Sequence, residues 1–146
     1  MSESAAAEIK AVIEERIAAI GNKDAARAIA CLAGDVVAFE LAPPLRLGAN
    51  AVRDEPGFAA WLAGFEEIAI EMRDLVIEAD ERIGFARALH HLSGTRVGGL
   101  PVSLWLRSTL CFRREPGGWR VAHAHSSVPM LMDGSFRAAT DLEPTA

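Results

Sequence analysis

Gly118-Trp119-Arg120-Val121-Ala122-His123-Ala124-His125-Ser126-Ser127-Val128-Pro129 is the stretch whose reading decides the fold of this chain. It alternates, it opens after the turn Pro116-Gly117-Gly118, and a proline closes it, so it predicts a strand from Trp119 to Val128. Two more long alternating segments precede it, Val102 to Arg113 and Ile83 to Arg96, separated by Gly98-Gly99 and Pro101. Ahead of these, Ile68, Ile70 and Met72 share one phase while Leu75 and Ile77 share the other. That slip around Arg73-Asp74 predicts a β-bulge that bends the strand.

The first part of the chain has a different period. Ile9, Val12, Ile13, Ile17 and Ile20 recur at helical spacing, with charges between them. Gly21-Asn22 stops this helix, and Asp24 caps a second, short one reaching Ala33. Val36 to Leu41 reads as a short strand ended by Pro43-Pro44, and Arg46 to Asp54 as a loop. Phe58, Trp61, Leu62 and Phe65 give a third helix one apolar face. Three helices followed by a long antiparallel meander predict an α+β plan, with the helices on one side of a curved sheet. Such a sheet closes into a cone-shaped roll around an internal cavity.

Composition bounds the function. At 146 residues the chain is expected to be one domain, 1–146, with an irregular tail over about 129–146. A net charge of −5 and no basic cluster argue against a nucleic-acid partner, whose phosphates need Lys/Arg patches. No apolar run is long enough to span a bilayer, and the N-terminus lacks the pattern of a signal peptide, so the expectation is a cytoplasmic protein with no membrane partner. Cys31 and Cys111 fit no metal or redox spacing and read as reduced, packed thiols.

Alternation sorts the strand residues into two faces. Val102, Leu104, Leu106, Ser108, Leu110 and Phe112 form a nearly all-apolar set that should face the helices. By the same rule Ala86, Ala88, His90 and Leu92 point inward, as do Ala122, Ala124, Ser126 and Val128. Trp119, Val121, His123, His125 and Ser127 are expected outward. With Trp105 and Leu89 they would make a broad, partly apolar outer sheet face, the mark of a homodimer packed through its sheets.

This order of elements, ending in the Gly-Trp-Arg-Val-Ala-His-Ala-His-Ser-Ser-Val-Pro strand, resembles the nuclear transport factor 2-like superfamily in its SnoaL-like, ketosteroid-isomerase-like branch. Phe39-Glu40-Leu41-Ala42-Pro43-Pro44-Leu45, Leu92-Ser93-Gly94-Thr95 and Trp105 to Phe112 carry the same likeness. The resemblance covers the chain from its first helix to Pro129. It implies the cone-shaped fold and leaves the reaction open, since the superfamily holds isomerases, dehydratases, cyclases, hydrolases and non-catalytic members. In ketosteroid isomerases an Asp near the end of the first strand is the general base, and the matching position here is Glu40. The isomerase's oxyanion donors, a Tyr and a protonated Asp, do not carry over. The chain has no Tyr, and the second Asp position falls on Ser108. A steroid isomerase of that design is therefore not expected.

The site expectations follow. Glu40 and His90 are the candidate catalytic groups, Glu40 as base and His90 as acid, base or anchor. Glu40 has a second reading, a strand-end carboxylate paired with Arg46 or Arg53, and His90 has one as a wall residue. Ser108 and Ser126 would orient a small apolar carbonyl compound or bond their neighbouring backbone. Leu106, Leu110 and Trp61 would line its pocket. A Ser126-His90-Glu40 triad can be drawn, but no nucleophile turn supports it. His123 and His125 share a strand face without a third ligand, so no metal is assigned. Proton abstraction beside a carbonyl needs no cofactor. The expected function is isomerase-, dehydratase- or cyclase-type chemistry, with a non-catalytic ligand-binding or dimerisation module as the alternative.

Overall fold

The computed structural model describes residues 3–145. Helix α1 (Glu3–Gly21) is followed by α2 (Ala25–Ala30), whose first turn is held by the Asp24 carboxylate accepting from the Arg27 amide at 3.1 Å. Strand β1 (Leu32–Phe39) begins earlier than Val36, because Leu32 and Ala33 are already buried in the sheet layer. The stretch expected to be all loop contains a one-turn helix, α3 (Ala49–Val52). Helix α4 (Glu55–Ala63) starts at Asp54, which accepts from the Gly57 amide, and carries Pro56 in its first turn, where no intrahelical donor is lost.

Four long strands follow: β2 (Phe65–Ala79), β3 (Ile83–Arg96), β4 (Pro101–Glu115) and β5 (Gly118–Ser127). They form one mixed sheet in the order β1-β5-β4-β3-β2, antiparallel throughout except for the parallel pair β1 and β5. The fold is the expected α+β roll, a curved sheet open at its edges with the helices on its inner face.

The sheet has four register shifts, and two of them set the side-chain phase of its inner face. The first lies in β2, where register shifts between Arg73 and Val76 and Asp74 takes a left-handed φ of 59°. Met72 therefore faces His90, and Ile77, past the bulge, faces Ala86 on the same inner surface. The second lies in β5, where Cys111 pairs with His123 but Phe112 pairs with Val121, leaving Ala122 as the extra residue.

This second bulge corrects the expected phase. Trp119 and Val121 do not point outward; each is 2% exposed and packs in the core with Ile9, Ile13, Val36, Ala86 and Phe112. Ala122, expected inward, lines a groove on the outer face with Cys111 and Phe85. Beyond the bulge, Ala124 and Ser126 keep the inward phase, opposite Leu110 and Ser108.

The core has two parts. Helix α1 seals the first against Trp119, whose indole Nε1 donates to Glu8 at 3.1 Å. The second gathers Ala19, Ile20, Ala25, Ala28, Leu62, Phe65 and Ile68 under α2 and α4. At Gly94 a Cβ would lie 2.2 Å from the Glu67 carbonyl oxygen, so a glycine lets β2 and β3 close up beside the start of β2. The tail is irregular apart from a bridge between Met130 and Ala138. No helix among the described residues is long and apolar enough to cross a membrane.

Candidate functional site

The inward phase of β1, β5 and β4 brings three polar residues into one row. Ala38 pairs with Ala124 and Phe39 with His125, so the next residue, Glu40, comes level with Ser126. Ser126 in turn pairs with Ser108 across β4. Ser108 is the one buried polar residue of the described core, at 7% exposure. Neither hydroxyl is taken up by a hydrogen bond to the described residues. A hydroxyl free of backbone partners keeps both its donor and its acceptor capacity for a ligand.

Glu40 stands at the end of this row, just past the last residue of β1, and is exposed at the rim of the sheet. Desolvation pushes its carboxyl above the ordinary glutamate value, against the opposing pull of the Arg16 and His125 charges. Among the described residues it makes no salt bridge. Arg53, one suggested partner, donates instead to the Leu32 carbonyl at 2.7 Å and ties α3 to β1.

His90 sits on the same inner face, opposite Leu106 in β4 and Met72 in β2. It lines a closed seam with no room for a water molecule, together with Ser108, Leu110, Ala86, Ala88, Met72, Leu75 and Ile13, so the expected internal cavity is not open here. Burial, seconded by the Arg16 charge, holds its imidazole below the ordinary histidine value, so it is neutral at pH 7. Glu40 and His90 do not meet. Three strand steps separate their backbones, roughly 14 Å at the usual strand spacing. A triad of Ser126, His90 and Glu40 is therefore not assembled.

The helix side supplies an aromatic wall. Trp61 stacks on Phe58 with ring centroids 5.8 Å apart and meets Phe65 edge-on at 5.1 Å. Trp61 is 42% exposed, so it is a rim residue and not a core one. The sequence reading missed Arg16. It lies three residues after Ile13 and four before Ile20, on the buried stripe of α1, and its guanidinium is 5.9 Å from the centre of the Phe58 ring. A charge inside an apolar stripe was the available signal.

On the outer face, the His123 ring nitrogen Nδ1 lies 2.7 Å from the Val37 carbonyl, and Phe39 meets both His123 and His125 edge-on. No group of three or more His, Cys, Asp or Glu among the described residues is placed to hold a metal ion. Cys31 is buried and Cys111 half-buried; both are free thiols with their pKa pushed up by burial.

The sequence pattern of the SnoaL-like domain matches residues 9–131, spanning α1 to the end of the sheet and the start of the tail. The chain belongs to the SnoaL-like domain family. Among proteins of curated function, none matches it in sequence. Solved structures do. A nuclear transport factor 2-like protein of unknown function from Pseudomonas putida KT2440 is 27% identical, with a TM-score of 0.85 over 99% of both chains. A candidate dehydratase of the same fold family from Streptomyces avermitilis is 16% identical, with a TM-score of 0.77 over 90% of this chain and 100% of its own. A candidate aromatic ring hydroxylase from Novosphingobium aromaticivorans is 16% identical, with a TM-score of 0.76 over 86% of this chain and 90% of its own. The last two likenesses are likenesses of fold. In this SnoaL-like chain the inner-face row of Glu40, Ser126 and Ser108 is the candidate site, with the Arg16 charge acting on Glu40 and the Phe58–Trp61 pair beside Arg16.

Proposed function

We propose that this SnoaL-like protein carries out cofactor-free acid–base chemistry on a small, largely apolar carbonyl compound bound against the inner sheet face. One observation carries the reading. Among the described residues Glu40 makes no salt bridge, desolvation lifts its pKa, and it stands in line with two uncommitted hydroxyls. A base needs a pKa raised toward the working pH, and it needs nearby donors for the charge it creates.

The step is simple. Glu40 removes a proton from the carbon beside the carbonyl, and the electron pair moves onto the carbonyl oxygen. Ser126 and Ser108 donate to that oxygen. Return of the proton to another carbon gives isomerisation; departure of a β-substituent gives elimination. The candidate dehydratase among the structural neighbours is consistent with the second outcome. Leu106, Leu110 and Trp61 would hold the apolar body, and neutral His90 would serve as a donor beyond the row, opposite Leu106.

Hydrogen exchange in D₂O tests this on a panel of small enolisable ketones. Deuterium should enter the position beside the carbonyl with protein and not without it. A ketone that binds without exchanging at any pH would contradict the proposal.

A second reading, a dimerisation or ligand-binding module without turnover, is favoured by the absence of Tyr and by the outer sheet face. There a groove of about 630 Å³ is walled by Ile83, Phe85 and Cys111, with Ile83 63% and Phe85 37% exposed. Its occupant in this account is the same face of a second copy, related by a two-fold axis. Both readings accommodate such a dimer. Sedimentation should give twice the chain mass, and Phe85→Glu should shift it toward the monomer. A wild-type monomer at all concentrations would remove the dimer.

A further inference from the structure

Arg16 is the one inward-facing cation of α1, and no salt bridge among the described residues pairs it. Its neighbours on the helix, Ile9, Ile13 and Ile20, are each at most 6% exposed, so its stem runs through the core layer and its head emerges over the inner sheet face. Of the nearby acids, Glu15 holds Arg27 at 2.8 Å, Glu8 accepts from Trp119 and Ser4, and Glu40 feels the Arg16 charge without forming a salt bridge to it. Arg53, Arg113 and Arg120 all have hydrogen-bond partners, whereas Arg16 has only the Phe58 ring. Its charge reaches both Glu40, at the head of the polar row, and His90, two residues along β3 from the position level with Ser108.

A planar fork of donors matches a carboxylate, which it can hold through two parallel hydrogen bonds. Beside that fork lie the stacked Phe58 and Trp61 rings, a flat apolar surface. We infer that Arg16 is the anchor for a carboxylate on the ligand, and that the ligand is a small carboxylic acid with an apolar ring or chain resting on Phe58 and Trp61. The inference deepens the reading of this face as a ligand site and does not require turnover. It also has a chemical consequence: a bound carboxylate cancels the Arg16 field at Glu40 and leaves a stronger base.

The experiment compares benzoate with its neutral match benzamide, by calorimetry and by ¹⁵N NMR of the arginine Nε–Hε groups. Wild-type protein should prefer benzoate by about tenfold or more, the worth of one charge-assisted pair. Arg16→Gln should bring the two within about twofold, Arg16→Lys should keep part of the preference, and benzoate should shift the Arg16 Nε–Hε signal. Equal binding of the two probes, no binding of either, an undiminished preference in R16Q, or shifts confined to other arginines would overturn the inference. The NMR shift decides the matter even if R16Q fails to fold. Glu40→Gln separates the two proposals: benzoate preference intact in E40Q supports the anchor whether or not any ketone exchanges.

Discussion

Glu40→Gln is expected to slow exchange at the carbon beside the ligand's carbonyl by about 10²- to 10⁴-fold, the usual contribution of a positioned general base. Affinity for the ligand should change little, because the amide keeps the shape and polarity of the side chain. The wild-type rate should climb as pH rises through the Glu40 titration, which lies above the ordinary glutamate value because desolvation outweighs the Arg16 and His125 charges. That limb should vanish in the variant. Stability should not suffer at neutral pH. With the folded pKa raised, the ionised form is the one the folded state penalises, so removing the charge removes that penalty. An exchange rate unchanged in E40Q would place the base elsewhere.

Trp119→Ala is the second large effect, a loss of about 3–5 kcal/mol of folding stability in urea or thermal unfolding. The indole is 2% exposed in the core cluster under α1, and its Nε1–H is bonded to Glu8. Truncation opens a cavity between β5 and α1 and removes the indole donor from Glu8, which keeps only its bond from Ser4. Trp119→Phe should retain most of the packing and lose the hydrogen bond, a cost of about 1 kcal/mol. A loss below about 1 kcal/mol for the alanine variant would return Trp119 to the outer surface, where strict alternation puts it.

That contrast shows what the chain discloses by its pattern. The bulge at Asp74 is legible because the apolar phase visibly changes, from Ile68, Ile70 and Met72 to Leu75 and Ile77. The bulge at Ala122 is hidden because Val121, Ala122 and Ala124 are apolar in either phase, so no change of pattern marks it. Asp24 is readable as a cap because its spacing to Arg27 is local. The one-turn helix Ala49–Val52 has no room for a period, and the early start of β1 at Leu32 is masked by Gly34.

The site divides the same way. The inward phase of His90, Ser108, Leu110 and Ser126 follows from alternation, and the strand register keeps it. The row of Glu40, Ser126 and Ser108 depends on β1 lying parallel to β5, a long-range pairing that local pattern does not encode. The separation of Glu40 from His90 depends on strand order. Arg16 was obscured by its own helix, where it passes for one more charge between isoleucines although it sits on their face.

The central claim is that Glu40 is a desolvated, unpaired carboxylate at the head of the inner-face site. The most direct test is a ¹³C NMR titration of the glutamate side-chain carboxyls, with Glu40→Gln identifying the Glu40 signal. The account predicts a midpoint above the ordinary glutamate value, moving higher still in the presence of benzoate. A midpoint at or below the ordinary glutamate value would mean a solvated or ion-paired carboxylate, and would contradict the assignment of Glu40 as the base.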